Sequence, residues 1–206
     1  MKKTSLGELI ANAISHGIGV LFAIVGLVLL LIKADTSAEI LSSLAFGLSM
    51  IILYSSSTLF HSFPEKMKRV YTVFQRLDHS SIFVLISGTY TPFLVLLVGS
   101  TKAYILLIIL WAVTVLGIVM KSIWISKFKY LHLAIYLFMG WSIMFIINEV
   151  NIGQSDIFLY LLLGGISYTL GVVFYVSKFK YNHFVWHLFV LGGTIFHFIA
   201  VYGYLL

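Results

Sequence analysis

The 206-residue chain has no cysteine, two prolines and only seven acidic residues. Without cysteine there are no disulfides and no thiolate metal sites, so any metal has to be held by nitrogen and oxygen ligands. Charged residues of both signs make up 10% of the chain against 61% hydrophobic. That scarcity excludes an ordinary soluble domain and matches an integral membrane protein. Pro/Ser-rich linkers, low-complexity tracts and convincing internal repeats are also missing, so nothing divides the chain into separate units.

What is present is length without charge. A helix needs roughly 20 apolar residues to cross a hydrocarbon core of about 30 Å. Seven stretches free of Asp, Glu, Lys and Arg approach or exceed this: 13–32, 40–60, 80–98, 103–120, 130–147, 157–176 and 183–206. The expected fold is an all-α integral membrane protein with seven transmembrane helices, a single domain over residues 1–206 with a short interfacial segment, 1–12, ahead of the first span. Lys2 and Lys3 precede an apolar stretch as in a signal peptide, but the stretch is long and no small-residue cleavage site follows, so it reads as an uncleaved span.

The distribution of Lys and Arg sets the orientation. With the N-terminus cytoplasmic, the inner segments hold Lys2, Lys3, Lys66, Lys68, Arg69, Arg76, Lys121, Lys127, Lys129, Lys178 and Lys180, and the outer ones hold only Lys33 and Lys102. The C-terminus is then outside. The formal charge of +6 reflects topology and anionic lipid rather than nucleic acid, and the expected location is the cell (plasma) membrane, as a multi-pass protein.

This topology assigns every unusual polar residue a depth, and most collect at the cytoplasmic face. Ser57 and His61 end the second span there, Asp78 and His79 open the third, His183 and His187 open the seventh, and Glu8, Asn12 and His16 lead into the first. At about 100° per residue, positions i and i+4 share a helix face, so Ser57 with His61, Asn12 with His16, and His183 with His187 each point in one direction. His183 and His187 fit a helical metal pair, and His61 supplies a third neutral nitrogen, the count typical of a catalytic zinc. Each residue also has a plainer reading. His61 can snorkel at a helix end, Asp78 can cap the third helix or pair with Arg76, Ser57 can be a small packing residue, and Glu8, Asn12 and His16 can belong to an interfacial helix. In the catalytic reading Asp78 is the base that orients or deprotonates a metal-activated water and Ser57 bonds that water or an oxyanion. Glu8, Asn12 and His16 support the ligands from below, with His79 beside Asp78. His132 and His197 read as interhelical hydrogen-bonding groups outside the site. Gly88 and Pro92 mark a bend in the third span, and the pairs Gly164/Gly165 and Gly192/Gly193 permit close helix packing.

The set E-x3-N-x3-H (Glu8, Asn12, His16), S-x3-H (Ser57, His61), R-x-D-H (Arg76, Asp78, His79) and a terminal H-x3-H followed by another His resembles the haemolysin III branch of the progestin and adipoQ receptor family over nearly the whole chain. That family is similar in architecture to the alkaline ceramidases. The resemblance implies zinc on His61, His183 and His187, Asp78 against the zinc-bound water, and Ser57 beside it. Receptor members carry a long N-terminal region before the first span, so hormone reception is not expected here. The leading expectation is a zinc-dependent intramembrane hydrolase of a lipid-like amide or ester, with a membrane lipid as its partner. The alternatives are a metal-containing receptor or sensor without turnover and, lower, ion transport or a cytolytic role.

Overall fold

The computed structural model describes residues 5–125, 127–150 and 155–206, without the side chains of 129 and 155. It contains seven helices long and apolar enough to cross a membrane: α1 (Leu6–Lys33), α2 (Ser37–Ser62), α3 (Lys68–Pro92, extended by a π-helical turn Phe93–Val98), α4 (Thr101–Ile123), α5 (Lys129–Gly140, continued by a 3-10 segment Ser142–Glu149), α6 (Ser155–Val176) and α7 (Asn182–Tyr204). Residues 6–12 are helically continuous with the first span. Two starts are set by capping boxes. Ser5 and Thr36 accept from the N–H groups of Glu8 and Glu39, whose carboxylates reach back to the cap N–H groups at 2.8 and 3.1 Å. Such caps satisfy the free amides of a helix start.

Burial follows the inverse of a soluble pattern. On α1, Ile10, Ile14, Ile18, Leu21, Val25 and Val28 are exposed at helical spacing, while Asn12, Ser15, His16, Gly19, Ala23 and Gly26 are buried. Lipid tails solvate the apolar face as well as another helix would, so association relies on close packing and on hydrogen bonds kept inside. Thr194 of α7 shows this: it donates to the Val190 carbonyl at 3.0 Å, while the hydroxyls of Tyr54 (α2) and Tyr168 (α6) reach it at 2.7 and 2.8 Å. Three helices are tied at one buried oxygen. Between α3 and α4, Ser87 and Thr114 bond at 2.7 Å, and Thr114 donates on to the Phe83 carbonyl.

Packing runs α4–α3–α2–α1–α7–α6, with α2 and α3 the most enclosed and α5 leaning on α3. The break expected in the third span occurs at Pro92, which lacks the N–H that the Gly88 carbonyl would accept; beyond it the helix widens, and Gly99, at φ 61°, closes the turn by donating to Leu94. Gly88 plays a different part, since a Cβ there would lie 2.7 Å from the Ala45 carbonyl of α2. The fifth span departs from the continuous helix expected over 130–147. Its α-helix ends at Gly140, where the Tyr90 hydroxyl donates to the Gly140 carbonyl at 2.7 Å and accepts from the Ile143 N–H at 3.1 Å. One side chain thus satisfies both groups freed by the break, as hydrocarbon requires.

Gly88→Ala is expected to destabilise the bundle by about 1–3 kcal/mol through overpacking against α2. Gly140→Ala, whose Cβ meets nothing within 4 Å, is the control. Melting temperatures in detergent that fall equally for both would refute the packing role of Gly88.

Candidate functional site

The residues singled out at one leaflet come together in space. His61, near the end of α2, and His183 and His187, in the first turns of α7, each offer a nitrogen, and these atoms all lie within 4.8 Å of one another. Their ring centroids stand 4.7 to 5.1 Å apart. The i, i+4 spacing places the α7 pair on one face, and α2 brings the third ring against it. Nε2 of His61 is buried and has no hydrogen-bond partner, an unusual cost for a polar atom unless something else meets it.

The fourth ring, His16 of α1, is stacked on His187 at 3.5 Å with an 11° interplanar angle, and both its nitrogens are buried without hydrogen-bond partners. It therefore braces a cluster member by its face. Asn12 acts through its backbone: its carbonyl accepts from the Ser15 hydroxyl at 2.9 Å and from Nδ1–H of His187 at 3.3 Å, while the Ser15 oxygen lies 3.0 Å from that same Nδ1. This arrangement places the proton on Nδ1 and leaves Nε2 of His187 as the free acceptor. Ser15 was missed in the sequence; its only signal was its place on the α1 stripe between Asn12 and His16. Glu8 clamps helix ends, with one carboxylate oxygen on the Ser5 cap and the other accepting from the Tyr181 N–H at 3.0 Å. Tyr181 has φ 62° and immediately precedes α7, so this contact helps to set where His183 and His187 begin.

Asp78 lies ten residues into α3, which begins at Lys68, so it does not cap that helix. Its carboxylate lies 3.6 Å from Nδ1 of His79, and among the described residues it forms no ion pair with Arg76. Ser57, buried on α2, lines the same cavity as Asp78. Nδ1–H of His79 donates to the Gln75 carbonyl at 2.7 Å.

His16, Ser57, Asp78, His79, His183 and His187 line one cavity of about 140 Å³ whose other walls are mostly apolar, from Leu53, Ile82, Ile86, Leu137 and Val190 among others. A second cavity of about 100 Å³ shares Thr89, Tyr90, Trp141, Gly165 and His197 with it and continues to Val150 and Phe158 near the opposite ends of α5 and α6. His132 and His197, expected outside the site, are outside the cluster yet line this cavity. His197 bridges helices as expected, through Leu161 at 3.2 Å. His132 instead bonds its own helix, at the Phe128 carbonyl, because that carbonyl lies one turn back in α5. Lys121, read as a topology-setting charge, is only 3% exposed and also lines the cavity.

The sequence matches the model of the haemolysin-III-related family over residues 7–198. The chain belongs to that family. It is 42% identical over 205 residues to the Hemolysin-3 homolog of Bacillus subtilis, covering 97% of this chain and 95% of that protein. The Hemolysin-3 of Bacillus cereus is 39% identical over 206 residues, covering 97% and 92%. The Homo sapiens monocyte to macrophage differentiation factor is 30% identical over 208 residues, covering 98% and 87%. The match thus includes every helix that carries a cluster or cavity residue.

Zinc offered to chelator-stripped protein is expected to bind at one equivalent in the wild type and in His132→Ala and His197→Ala, and to be lost in His61→Ala, His183→Ala and His187→Ala. Correctly folded wild type that takes up no zinc would sink the cluster as a metal site.

Proposed function

We propose that this haemolysin-III-related chain is a zinc-dependent intramembrane hydrolase of a lipid-like amide or ester. The observation that carries this reading is a three-imidazole cluster, two of whose members, His183 and His187, line one mostly apolar cavity together with the half-buried carboxylate of Asp78. The donor set fits zinc: three histidine nitrogens leave one position open, the pattern of a catalytic site. The three nitrogens lie within 4.8 Å of one another, close enough for one ion to gather them. His61, His183 and His187 would hold the ion, and Ser15 with the Asn12 carbonyl would fix the His187 tautomer. When bound, zinc supplies a water acidified to a pKa of about 7 and a polarising charge for a carbonyl.

The chain's own residues do the rest. Asp78, on the cavity wall, accepts a proton from the attacking water and returns it to the departing amine or alcohol as the C–N or C–O bond breaks. Ser57, which lines the same cavity, donates to the oxyanion that develops on the carbonyl. The paired cavities, lined by residues of α3, α5, α6 and α7, offer an apolar path for an acyl chain, and a substrate already in the bilayer reaches the site without crossing water. The N-terminus is cytoplasmic and the chain resides in the plasma membrane in this reading, with the eleven-to-two bias of basic residues counted above in support.

Metal-loaded protein, screened against fluorogenic acyl amides and esters in liposomes, is expected to turn over at least one. Asp78→Ala should keep its metal and lose activity by about 10²–10⁴-fold; normal turnover in that variant, or none in metal-replete wild type across the panel, rejects the reading. Ser15→Ala should weaken zinc affinity about 10–100-fold in chelator competition. The absence of native cysteine gives a clean test of orientation. Asp35→Cys should react with an impermeant maleimide in intact cells and Lys178→Cys only after permeabilisation; the reverse pattern would invert the topology.

A further inference from the structure

Lys121 lies near the end of α4, where a membrane-protein lysine ordinarily extends along the surface to place its ammonium among headgroups. Here it does the opposite. Thr114, Gly117 and Lys121 follow one another on the buried face of α4, and a Cβ at Gly117 would lie within 2.5 Å of the Phe83 ring of α3. The face that carries Lys121 is therefore pressed against α3. The side chain is carried inward, to 3% exposure, onto the wall of the cavity that His183 and His187 of the imidazole cluster also line. Burying an ammonium away from water and headgroups is costly, and the exposed end of the same helix, at Ser122 and Ile123, offers an alternative that the fold does not use.

The cavity's charges do not balance once its proposed ion is counted. Among the described residues that line it, the only carboxylate is Asp78 and the only permanent cation is Lys121, beside imidazoles and tyrosines, and the two lie within electrostatic range of each other. One carboxylate can offset one ammonium. A divalent ion on the three imidazoles then leaves two positive charges in a low-dielectric enclosure, which favours a negatively charged guest.

We propose that Lys121 forms an anion subsite in this cavity and binds the carboxylate of a lipid, so that the protein selects acidic lipids over neutral lipids of the same length. This deepens the hydrolase reading and rests on it for the cleaved bond. The carboxylate has two possible sources, an acidic headgroup on the intact substrate or the fatty acid released by cleavage, and both present the same chemistry to an ammonium.

The test measures equilibrium binding of two matched pairs, palmitate with hexadecanol and N-palmitoylglycine with N-palmitoylethanolamine, to zinc-supplied protein in phosphatidylcholine nanodiscs. Each recovered lipid is checked for cleavage. Wild type and Lys121→Arg are expected to favour the acid of at least one pair by roughly tenfold or more, as a charge-assisted hydrogen bond would, and Lys121→Met to lose that preference. Preference in the first pair identifies the released acid as the source; preference in the second identifies the headgroup. Equal binding of acid and neutral lipids by wild type overturns the subsite without any variant. So does a preference that survives in Lys121→Met or, should that variant fail to fold, in Lys121→Gln, since Lys121 would then serve only as the counter-ion of Asp78. Cleavage without acid preference leaves the hydrolase standing and removes the subsite. Preference with no cleaved lipid does the reverse.

Discussion

Hydrocarbon forms no hydrogen bonds, and the rest of this structure depends on that constraint. Backbone polar groups in the spans have to be met from within the protein, and side-chain polar groups gain by turning inward while the apolar ones face lipid. The interior that results is a set of small hydroxyl knots. Thr194 gathers Tyr54 and Tyr168, Tyr90 closes the break at Gly140, and Ser15 with the Asn12 carbonyl holds His187. Interhelical bonds of this kind are worth about 0.6 kcal/mol each on average, yet their placement decides which helices meet.

The same constraint makes a site affordable. A buried imidazole or carboxylate in lipid is costly alone, but several of them around one cavity satisfy each other or wait for a ligand. The stacked His16, the unbonded Nε2 of His61 and the inward Lys121 are features a purely structural bundle would avoid. They lie toward one end of the molecule because four helix ends meet there, beside the first half of α3: the starts of α1 and α7, held together by Glu8 and Tyr181, and the ends of α2 and α4.

Similarity to proteins from bacilli and from Homo sapiens over nearly the whole chain places this bundle in one family without saying which reaction it performs. The site itself has to carry that inference, because one fold supports many chemistries. Here three imidazoles close enough to share a metal ion, a carboxylate and a mostly apolar cavity occur together.

Much was legible in one dimension. Runs without charge determined seven spans, because a bilayer imposes one length on every helix that crosses it, and i, i+4 spacing paired His183 with His187 because 3.6 residues make a turn. Span alternation put His61, Asp78 and both of those histidines at the same depth. Tertiary structure decided what depth and period leave open, namely rotation and contact. It showed that Asn12 works through its carbonyl, that Ser15 is the hydroxyl on His187, that Asp78 lies inside a helix and not at its cap, and that Lys121 turns into the cavity. Contacts of this kind depend on how one helix is rotated against its neighbours, which is set by close packing between helices at residues such as Gly117 and Gly88.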